Sequence, residues 1–301
     1  MIVLVTGANG LVGRHIVDKL STEGVSIVAQ FQNTALHSWY NEGIHLLKAD
    51  LSNKNSSSLF SKISPDIIVH CAAKIPASAM DSIDAANTNK EIDSEIYNFA
   101  FQRNIPVVFI SSVIVYEASS EPYQENKILH PTSPYAIQKY QSESIFSSLS
   151  KPSVSFRISS PYGGYQKPSR NVLYKFIHNA LKGEDLMVYG TGNRCQDFIC
   201  ATDISNAVWD VLKAWASGVE LSGIYNVAYG TPISMSELAV LITEIVGRGN
   251  VIYSNGVETD EHDNIKIDIS RAYDILGWQP SVGLATGIRK VIDSLRNAEC
   301  Y

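Results

Sequence analysis

The sequence predicts an α/β fold, a doubly wound parallel sheet with a smaller C-terminal lobe, from three observations. Short apolar runs alternate with longer stretches of helical periodicity through the first half of the chain, which is typical of a parallel sheet covered by helices. Residues 67–69 and 107–110 are continuously apolar, as buried parallel strands should be. Beyond residue 158 the alternation becomes irregular and Pro, Gly and Tyr accumulate, which indicates a second lobe added at the edge of the sheet.

The elements are predicted in chain order from apolar periodicity. Strands of the sheet are predicted at residues 2–5, 26–30, 45–48, 66–70, 107–111 and 153–157. The helices between them are predicted at residues 10–23, 56–63, 87–103 and 135–149. Later helices are predicted at residues 172–182, 203–217, 235–246, 271–276 and 284–296. The sheet domain therefore comprises residues 1–157 with a return at about 197–228, and the smaller lobe residues 158–196 and 229–301.

Composition argues against several classes of protein. No apolar run approaches the roughly 20 residues of a membrane span. The first residues resemble no signal peptide, so we expect a cytoplasmic protein. The 24 basic and 30 acidic residues give a net charge of −6, which disfavours nucleic acid as a partner. The 4 cysteines form no CxxC pair and the 7 histidines no HxxxH pattern, so we predict no metal site.

The segment Thr-Gly-Ala-Asn-Gly-Leu-Val-Gly at residues 6–13 joins the first predicted strand to the first helix. Gly7 permits a tight turn, Gly10 lets the backbone approach a pyrophosphate, and Gly13 lets the helix pack closely on the strand. The helix N-terminus then presents free N–H groups and a positive dipole end to the anion. We predict a dinucleotide site that includes Gly7, Asn9, Gly10, Leu11, Val12 and Gly13.

Tyr135 and Lys139 are four residues apart on a predicted helix that begins after Pro134, so both face one side of that helix. Carbonyl reduction needs a proton at the oxygen while hydride reaches the carbon, and a phenol with a pKa near ~10 is a poor base at neutral pH. We expect the Lys139 ammonium to lower the pKa of Tyr135. Ser112 ends the fifth strand and can hydrogen-bond the substrate oxygen. Tyr135, Lys139 and Ser112 are therefore the predicted catalytic residues.

These motifs, taken in order with later ones, resemble those of the extended short-chain dehydrogenase/reductase superfamily, in its NAD-dependent epimerase/dehydratase family. The matching segments are residues 6–13, 50–51, 70–73, 111–116, 133–139, 157–163, 268–271 and 276–280. The resemblance spans nearly the whole chain. It implies a Rossmann fold for the sheet domain and a substrate-binding role for the smaller lobe. It also implies a homodimer formed by the helices at residues 87–103 and 135–149.

The resemblance also implies further site residues. Asp50 and Leu51 would contact the adenine, Ala72 and Ala73 would line the path to the nicotinamide, and Lys139 would hold the nicotinamide ribose. The other cofactor-binding residues that we predict are Phe31, Gln32, Cys71, Ser111, Tyr135 and Ser160. The substrate-binding residues that we predict are Ser112, Val113, Tyr135, Asn171 and Arg194.

Three departures from the family pattern bear on specificity. Phe31, followed by Gln32 and Asn33, stands where an acidic residue would select NAD and an Arg would favour NADP, so we predict NAD or NADP. Val113 and Ile114 stand where the family's dehydratases carry an Asp-Glu pair, which disfavours 4,6-dehydration. Gln196 stands where many members carry an Arg that pairs with the nucleotide diphosphate. We predict that Arg194, two residues earlier, takes that role.

The predicted function is hydride transfer at a carbon of a nucleotide-activated sugar, most simply C4. A 4-epimerase and a 4-keto reductase both fit this prediction. An alternative is an NAD(P)-dependent reductase or dehydrogenase of a ketone or alcohol that carries no nucleotide. A noncatalytic dinucleotide-binding sensor is disfavoured, because such sensors typically lose the Tyr/Lys pair that this chain keeps as Tyr135 and Lys139.

Overall fold

The computed structural model describes residues 1–33, 43–53, 60, 63–116, 121–164, 171–255 and 266–299. Its strands are β1 Ile2–Thr6, β2 Ser26–Phe31, β3 Ile44–Lys48, β4 Ile67–His70, β5 Val107–Ser112, β6 Ser153–Ile158, β7 Ser160–Tyr162, β8 Leu186–Tyr189, β9 Cys195–Gln196, β10 Phe198–Cys200, β11 Gly223–Val227, β12 Ile233–Ser234 and β13 Val251–Ser254. Its helices are α1 Leu11–Thr22, α2 Ser82–Arg103, α3 Pro134–Ser147, α4 Val172–Lys182, α5 Ala201–Ala216, α6 Met235–Val246, α7 Ser270–Leu276 and α8 Leu284–Glu299.

The main sheet has seven parallel strands in the order β11-β6-β5-β4-β1-β2-β3, which confirms the predicted doubly wound sheet. The chain first runs outward from β1 to β3 and then returns to place β4 on the other side of β1. The carboxyl ends of β1 and β4 therefore meet at the switch point, where open α/β sheets bind ligands. The six predicted strands are present with each end within one residue, whereas β11 was not predicted.

Helices cover both faces of the main sheet because its strand residues alternate between two buried faces. One face packs on α1 and α5, with Ile16 and Ile204 in its core. The other packs on α2 and α3, with Ile96 and Phe146 in its core. None of the described helices is long and apolar enough to cross a membrane.

Outside the main sheet, three two-stranded sheets pair β7 with β10, β9 with β12 and β8 with β13. Helices α4, α6 and α8 pack together in a separate apolar cluster that includes Leu173, Leu238 and Ile288. We propose this cluster as the core of the smaller lobe. Helix α6 begins with a capping box, in which Ser234 and Glu237 each accept a hydrogen bond from the other's backbone N–H.

The predicted helices at residues 172–182 and 235–246 have the observed bounds, and α2 begins five residues before the predicted start. The first turn of α2 buries the polar Ser82 and exposes Ile83, so it lacks the apolar pattern from which the helix was predicted. The predicted helix at residues 56–63 lies outside the described residues, apart from residues 60 and 63.

Candidate active site

The glycine turn after β1 has a geometry that side chains would disrupt. Gly7 has a φ of +62°, and a Cβ there would lie 2.6 Å from Ala72 Cα. A Cβ on Gly13 would lie 2.3 Å from the Gly7 carbonyl oxygen. The Gly10 N–H donates to the Gly7 carbonyl oxygen at 2.9 Å, which closes the turn. The chain can therefore follow this path only with glycine at positions 7 and 13.

Gln30, a buried polar residue on β2, holds the glycine turn in place. Its Oε1 accepts a hydrogen bond from the Gly7 N–H at 2.9 Å, and its Nε2 donates to the Ala49 carbonyl oxygen at 2.7 Å. Its backbone carbonyl accepts from the Ala8 N–H at 2.9 Å. Sequence reasoning missed Gln30, although a Gln within an otherwise apolar strand was a signal that a buried backbone group needed a partner.

The start of α1 fits the pyrophosphate of a dinucleotide. Gly10 is the N-cap and supplies no side chain to the free N–H groups of the first turn, and no acidic residue lies in that turn. These groups and the positive end of the helix dipole are what an anion requires. The segment from Asn9 to Val12 is exposed or half-buried, so its backbone is accessible.

The carboxyl edge of β2 and β3 contains the predicted adenine-side residues. Asp50 is exposed and accepts hydrogen bonds from the Ser52 hydroxyl at 2.7 Å and the Ser52 N–H at 3.0 Å. These bonds hold the pKa of Asp50 below its usual value, and a hydrogen bond with the Gln32 side chain makes a smaller contribution in the same direction. Burial opposes them. Phe31 and Leu51 are buried beside it.

The segment after β4 packs directly against the glycine turn. Thr6 Oγ1 accepts hydrogen bonds from the Cys71 N–H at 3.1 Å and the Ala72 N–H at 3.2 Å. Burial raises the pKa of the Cys71 thiol to about 12, with Lys139 opposing, so this thiol is neutral at physiological pH. The structure thus brings together Gly7, Cys71 and Ala72, three of the residues predicted to bind the cofactor.

Helix α3 positions the predicted catalytic pair. Ser133 caps the helix by accepting from the Ala136 N–H at 3.2 Å, and the Tyr135 N–H donates to Ser82 Oγ at 3.1 Å. Tyr135 and Lys139 are almost completely buried. Lys139 Nζ donates to the Ile110 carbonyl oxygen at 3.2 Å and lies 4.6 Å from the centre of the Phe109 ring. An ammonium has three N–H donors, so this one bond is compatible with binding a ribose diol as well.

The prediction that Lys139 lowers the pKa of Tyr135 was wrong for the folded chain. Burial raises the pKa of Tyr135, and the negative charge of Asp93 raises it further. Burial also lowers the pKa of Lys139, against the opposing effects of Asp93, Cys71 and Glu143. The sequence did not indicate that a carboxylate from α2 would lie near both groups.

The two serines at the end of β5 have different surroundings. Ser112 is half-buried, and its hydroxyl accepts from the Ile114 N–H at 3.3 Å, which starts the short 3-10 turn Val113–Val115. Ser111 is buried and its hydroxyl donates to Glu143 Oε1 at 2.5 Å. The Ser111 hydroxyl is therefore engaged in the protein core, whereas Ser112 and Val113 lie at the more accessible strand end.

Two of the predicted substrate residues, Asn171 and Arg194, form hydrogen bonds within the protein. Asn171 caps α4 by accepting from the Leu173 N–H at 3.0 Å. Arg194 is half-buried, and its Nη2 donates to Met235 Sδ at 3.4 Å. Gln196 Nε2 donates to Ser160 Oγ, so a neutral amide pairs with the predicted cofactor residue on β7. In the described part of the chain, no three His, Cys, Asp or Glu side chains form a group that could hold a metal ion.

The comparison with protein families decides the classification. The model described as "NAD dependent epimerase/dehydratase family" matches residues 3–228. The chain belongs to this family. The match, together with the glycine turn, makes it an NAD(P)-dependent enzyme.

Three similar proteins cover almost the whole chain. A putative UDP-glucose 4-epimerase of Methanocaldococcus jannaschii is 28% identical over 98% of both chains. An Escherichia coli dTDP-4-dehydro-6-deoxyglucose reductase is 26% identical over 98% of this chain and 97% of its own length. The crystal structure of Thermus thermophilus UDP-glucose 4-epimerase in complex with NAD matches with a TM-score of 0.84 and 26% identity, over 99% of this chain and 100% of the other. The resemblance inferred from the motifs is thus confirmed.

Proposed function

We propose that the chain catalyses hydride transfer at C4 of a nucleoside-diphosphate sugar. The observation that carries this proposal is the buried pair Tyr135 and Lys139 on α3, beside the end of β5 that carries Ser112. A buried phenol and a buried ammonium on one helix face match what proton transfer to a sugar oxygen requires. The relatives named for UDP-glucose and dTDP-sugar chemistry support a nucleotide sugar as substrate.

The residues at the switch point fit NAD or NADP. We assign the pyrophosphate to the glycine turn and the start of α1, and the nicotinamide ribose to Lys139. We assign the adenine to Asp50 and Leu51, with Ala72 and Ala73 along the path to the nicotinamide. When bound, the cofactor supplies or accepts the hydride at the sugar carbon.

Tyr135 moves the proton at the sugar oxygen. Because its raised pKa keeps the phenol protonated at neutral pH, Tyr135 donates that proton as a 4-keto group is reduced. In the reverse direction the Tyr135 phenolate, stabilised by the Lys139 ammonium, accepts the proton of the C4 hydroxyl and becomes the neutral phenol. Ser112 donates a hydrogen bond to the same oxygen and orients it.

Epimerisation and single reduction both use this half-reaction. An epimerase oxidises C4, turns the keto sugar and reduces it on the other face, whereas a reductase delivers hydride once and releases oxidised cofactor. Dehydration needs further acid and base groups beside Ser112. Val113 is half-buried, Ile114 is exposed, and neither can transfer a proton.

A second candidate substrate is a ketone or alcohol without a nucleotide. Gln196 is neutral and donates to Ser160, so it offers no positive charge to a diphosphate, and Arg194 is held at Met235. If Arg194→Ala left the affinity for nucleoside diphosphates unchanged, Arg194 would have no role at the diphosphate.

A ligand screen followed by two assays tests the proposal. Thermal shifts with UDP, dTDP, GDP and CDP, each with NAD or NADP, should show stabilisation by at least one nucleotide, because binding to the folded state raises stability. Conversion of the matching NDP-glucose to NDP-galactose without added cofactor identifies an epimerase. Net NAD(P)H oxidation with a 4-keto sugar identifies a reductase. Stabilisation by no nucleotide, with NAD(P)H oxidised only by simple ketones, would overturn the nucleotide-sugar proposal.

We also propose a homodimer through α2 and α3, as the family resemblance implies. On these helices Phe101 and Ile145 are exposed, whereas Ile92 and Ile96 are buried against the sheet. The exposed apolar side chains suit a contact between helices of two copies. Light scattering of the purified protein should give twice the mass of one chain, and a monomer mass would contradict this proposal.

A further inference from the structure

Asp93 lies at one end of a buried hydrogen-bond chain that begins at the glycine turn. Thr6 Oγ1 accepts two backbone N–H bonds, so its own proton goes to His70 Nδ1, which lies 2.7 Å away. His70 therefore carries its proton on Nε2 and donates it to Asp93 Oδ1 at 3.0 Å. These hydrogen bonds fix one tautomer of His70.

The other carboxylate oxygen of Asp93 accepts from α3. Gln138 Nε2 donates to Asp93 Oδ2 at 2.7 Å, and Ser142 Oγ donates at 2.6 Å. All these partners donate, so Asp93 acts as an ionised acceptor although only 2% of it is exposed. Burial raises the pKa of Asp93, but the charge of Lys139 and the bonds from His70 and Ser142 outweigh burial, and the net pKa is lowered.

We propose that Asp93 is a positioning residue: its buried carboxylate anchors α3 to the glycine turn through His70 and Thr6, and supplies a counter-charge for the Lys139 ammonium. This inference rests on the proposed function only where it concerns turnover. Its structural basis is that the α3 partners of Asp93 are Gln138, the residue before Lys139, and Ser142, three residues after it, so Asp93 contacts α3 within one turn of Lys139.

Charged and titratable groups from several elements face Lys139. These groups are Asp93 on α2, Cys71 after β4, and Glu143 on α3, which is itself paired with Arg157 on β6. Because Glu143 already has a buried cationic partner, its charge is shared. Among the described residues the hydrogen-bond donors to Asp93 are an imidazole, an amide and a hydroxyl, so its hydrogen bonds include no lysine or arginine.

Removal of the Asp93 charge shifts the pKa values of Tyr135 and Lys139 in the same direction. Asp93 raises the pKa of both Tyr135 and Lys139. In Asp93→Asn both pKa values therefore fall. If turnover requires the Tyr135 phenol and the Lys139 ammonium, the alkaline limb of the pH-rate profile moves to lower pH.

Direct titration of Lys139 tests the inference without any substrate. The unliganded full chain is labelled with ¹³C at the lysine Cε, and the Lys139 resonance is assigned by its absence in Lys139→Met. The matched control is Glu91→Gln, which removes a carboxylate from an exposed position of the same helix. We expect the Lys139 midpoint to fall by about one pH unit or more in Asp93→Asn, and to stay unchanged in Glu91→Gln.

An unchanged Lys139 midpoint in folded Asp93→Asn would overturn the inference. If circular dichroism shows that this variant does not fold, the wild-type titration decides, because the inference requires a charged Lys139 at pH 7 and a neutral one would contradict it. Failure of the proposed function is distinguishable: no substrate would turn over in the wild type, while the Lys139 titration would still respond to Asp93.

Discussion

Arg157 Nη2 lies 2.7 Å from Glu143 Oε2, and the two side chains are only 2% and 1% exposed. Arg157 Nε donates to Glu143 Oε1 at 3.0 Å, so the contact is bidentate. Its Nη1 donates to Tyr116 Oη at 2.9 Å, and Ser111 Oγ donates to Glu143 Oε1 at 2.5 Å. Since Glu143 follows Lys139 by one helical turn, this ion pair fixes the catalytic helix against β6 and below the end of β5.

Glu143→Gln should lower the free energy of unfolding by about 3–5 kcal/mol, because it leaves a buried guanidinium without its counter-charge. Urea unfolding at pH 7 measures this difference. The control is Asp210→Asn, which removes a partly exposed pair whose Asp210 Oδ1 lies 2.8 Å from Lys213 Nζ. That control should change stability by less than about 1 kcal/mol. Equal losses of unfolding free energy in the two variants would show that the buried pair contributes no more to stability than the partly exposed one.

Gly13→Ala should weaken dinucleotide binding at least about tenfold, which corresponds to about 1.4 kcal/mol. The new Cβ would lie 2.3 Å from the Gly7 carbonyl oxygen, so the glycine turn and α1 must separate. Calorimetric titration with NAD and NADP measures the affinity. Gly283→Ala is the matched control, since a Cβ there meets nothing within 4 Å and affinity should be unchanged. Wild-type affinity in Gly13→Ala would contradict the placement of the pyrophosphate.

Asp268 should contribute to the loss of stability in acid. Its pKa is lowered mainly by the Ser270 hydroxyl, with further bonds from Gln124 and the Ser270 N–H, while burial opposes. A carboxylate with a lowered folded pKa stabilises the protein above its unfolded pKa of about 3.9, and that contribution disappears as pH falls through the folded value.

Asp268→Asn should therefore lose less stability than the wild type between pH 5 and about pH 2.5, when both are measured by urea unfolding. Asp274→Asn, which removes an exposed carboxylate from α7, serves as the control. The same acid-induced loss in Asp268→Asn and wild type would mean that the hydrogen bonds of Asp268 do not couple to folding.

The fold was predictable because its determinants are local. Continuous apolar runs mark buried parallel strands, and the glycine spacing at residues 6–13 marks the first turn. Strand β11 was missed because its sequence, Gly-Ile-Tyr-Asn-Val, includes a buried Asn226. The Asn226 side chain accepts from Tyr116 Oη at 2.7 Å and donates to the backbone of Tyr123 and Asp268. These partners are distant in sequence, so the apolar periodicity from which strands were predicted does not indicate them.

The candidate site was predictable where a motif is contiguous and was not where it depends on tertiary contacts. Tyr135 and Lys139 lie on one helix, and their spacing alone places them together. The effect of Asp93 on the pKa values of Tyr135 and Lys139 depends on how α2 packs against α3. The sequence alone does not give that packing. The direction of the Tyr135 pKa shift was therefore predicted incorrectly, although the residue itself was identified.

Replacement of Tyr135 by Phe, with turnover measured on the nucleotide sugar found by the ligand screen, is the most direct test of proton transfer by Tyr135. We expect kcat to fall about 10²–10⁴-fold, because Phe keeps the buried ring and loses only the hydroxyl with its transferable proton. Tyr140→Phe, a half-buried tyrosine on the same helix, should keep wild-type turnover. Wild-type turnover in Tyr135→Phe would contradict the assignment of Tyr135 as the acid/base and with it the proposed reaction.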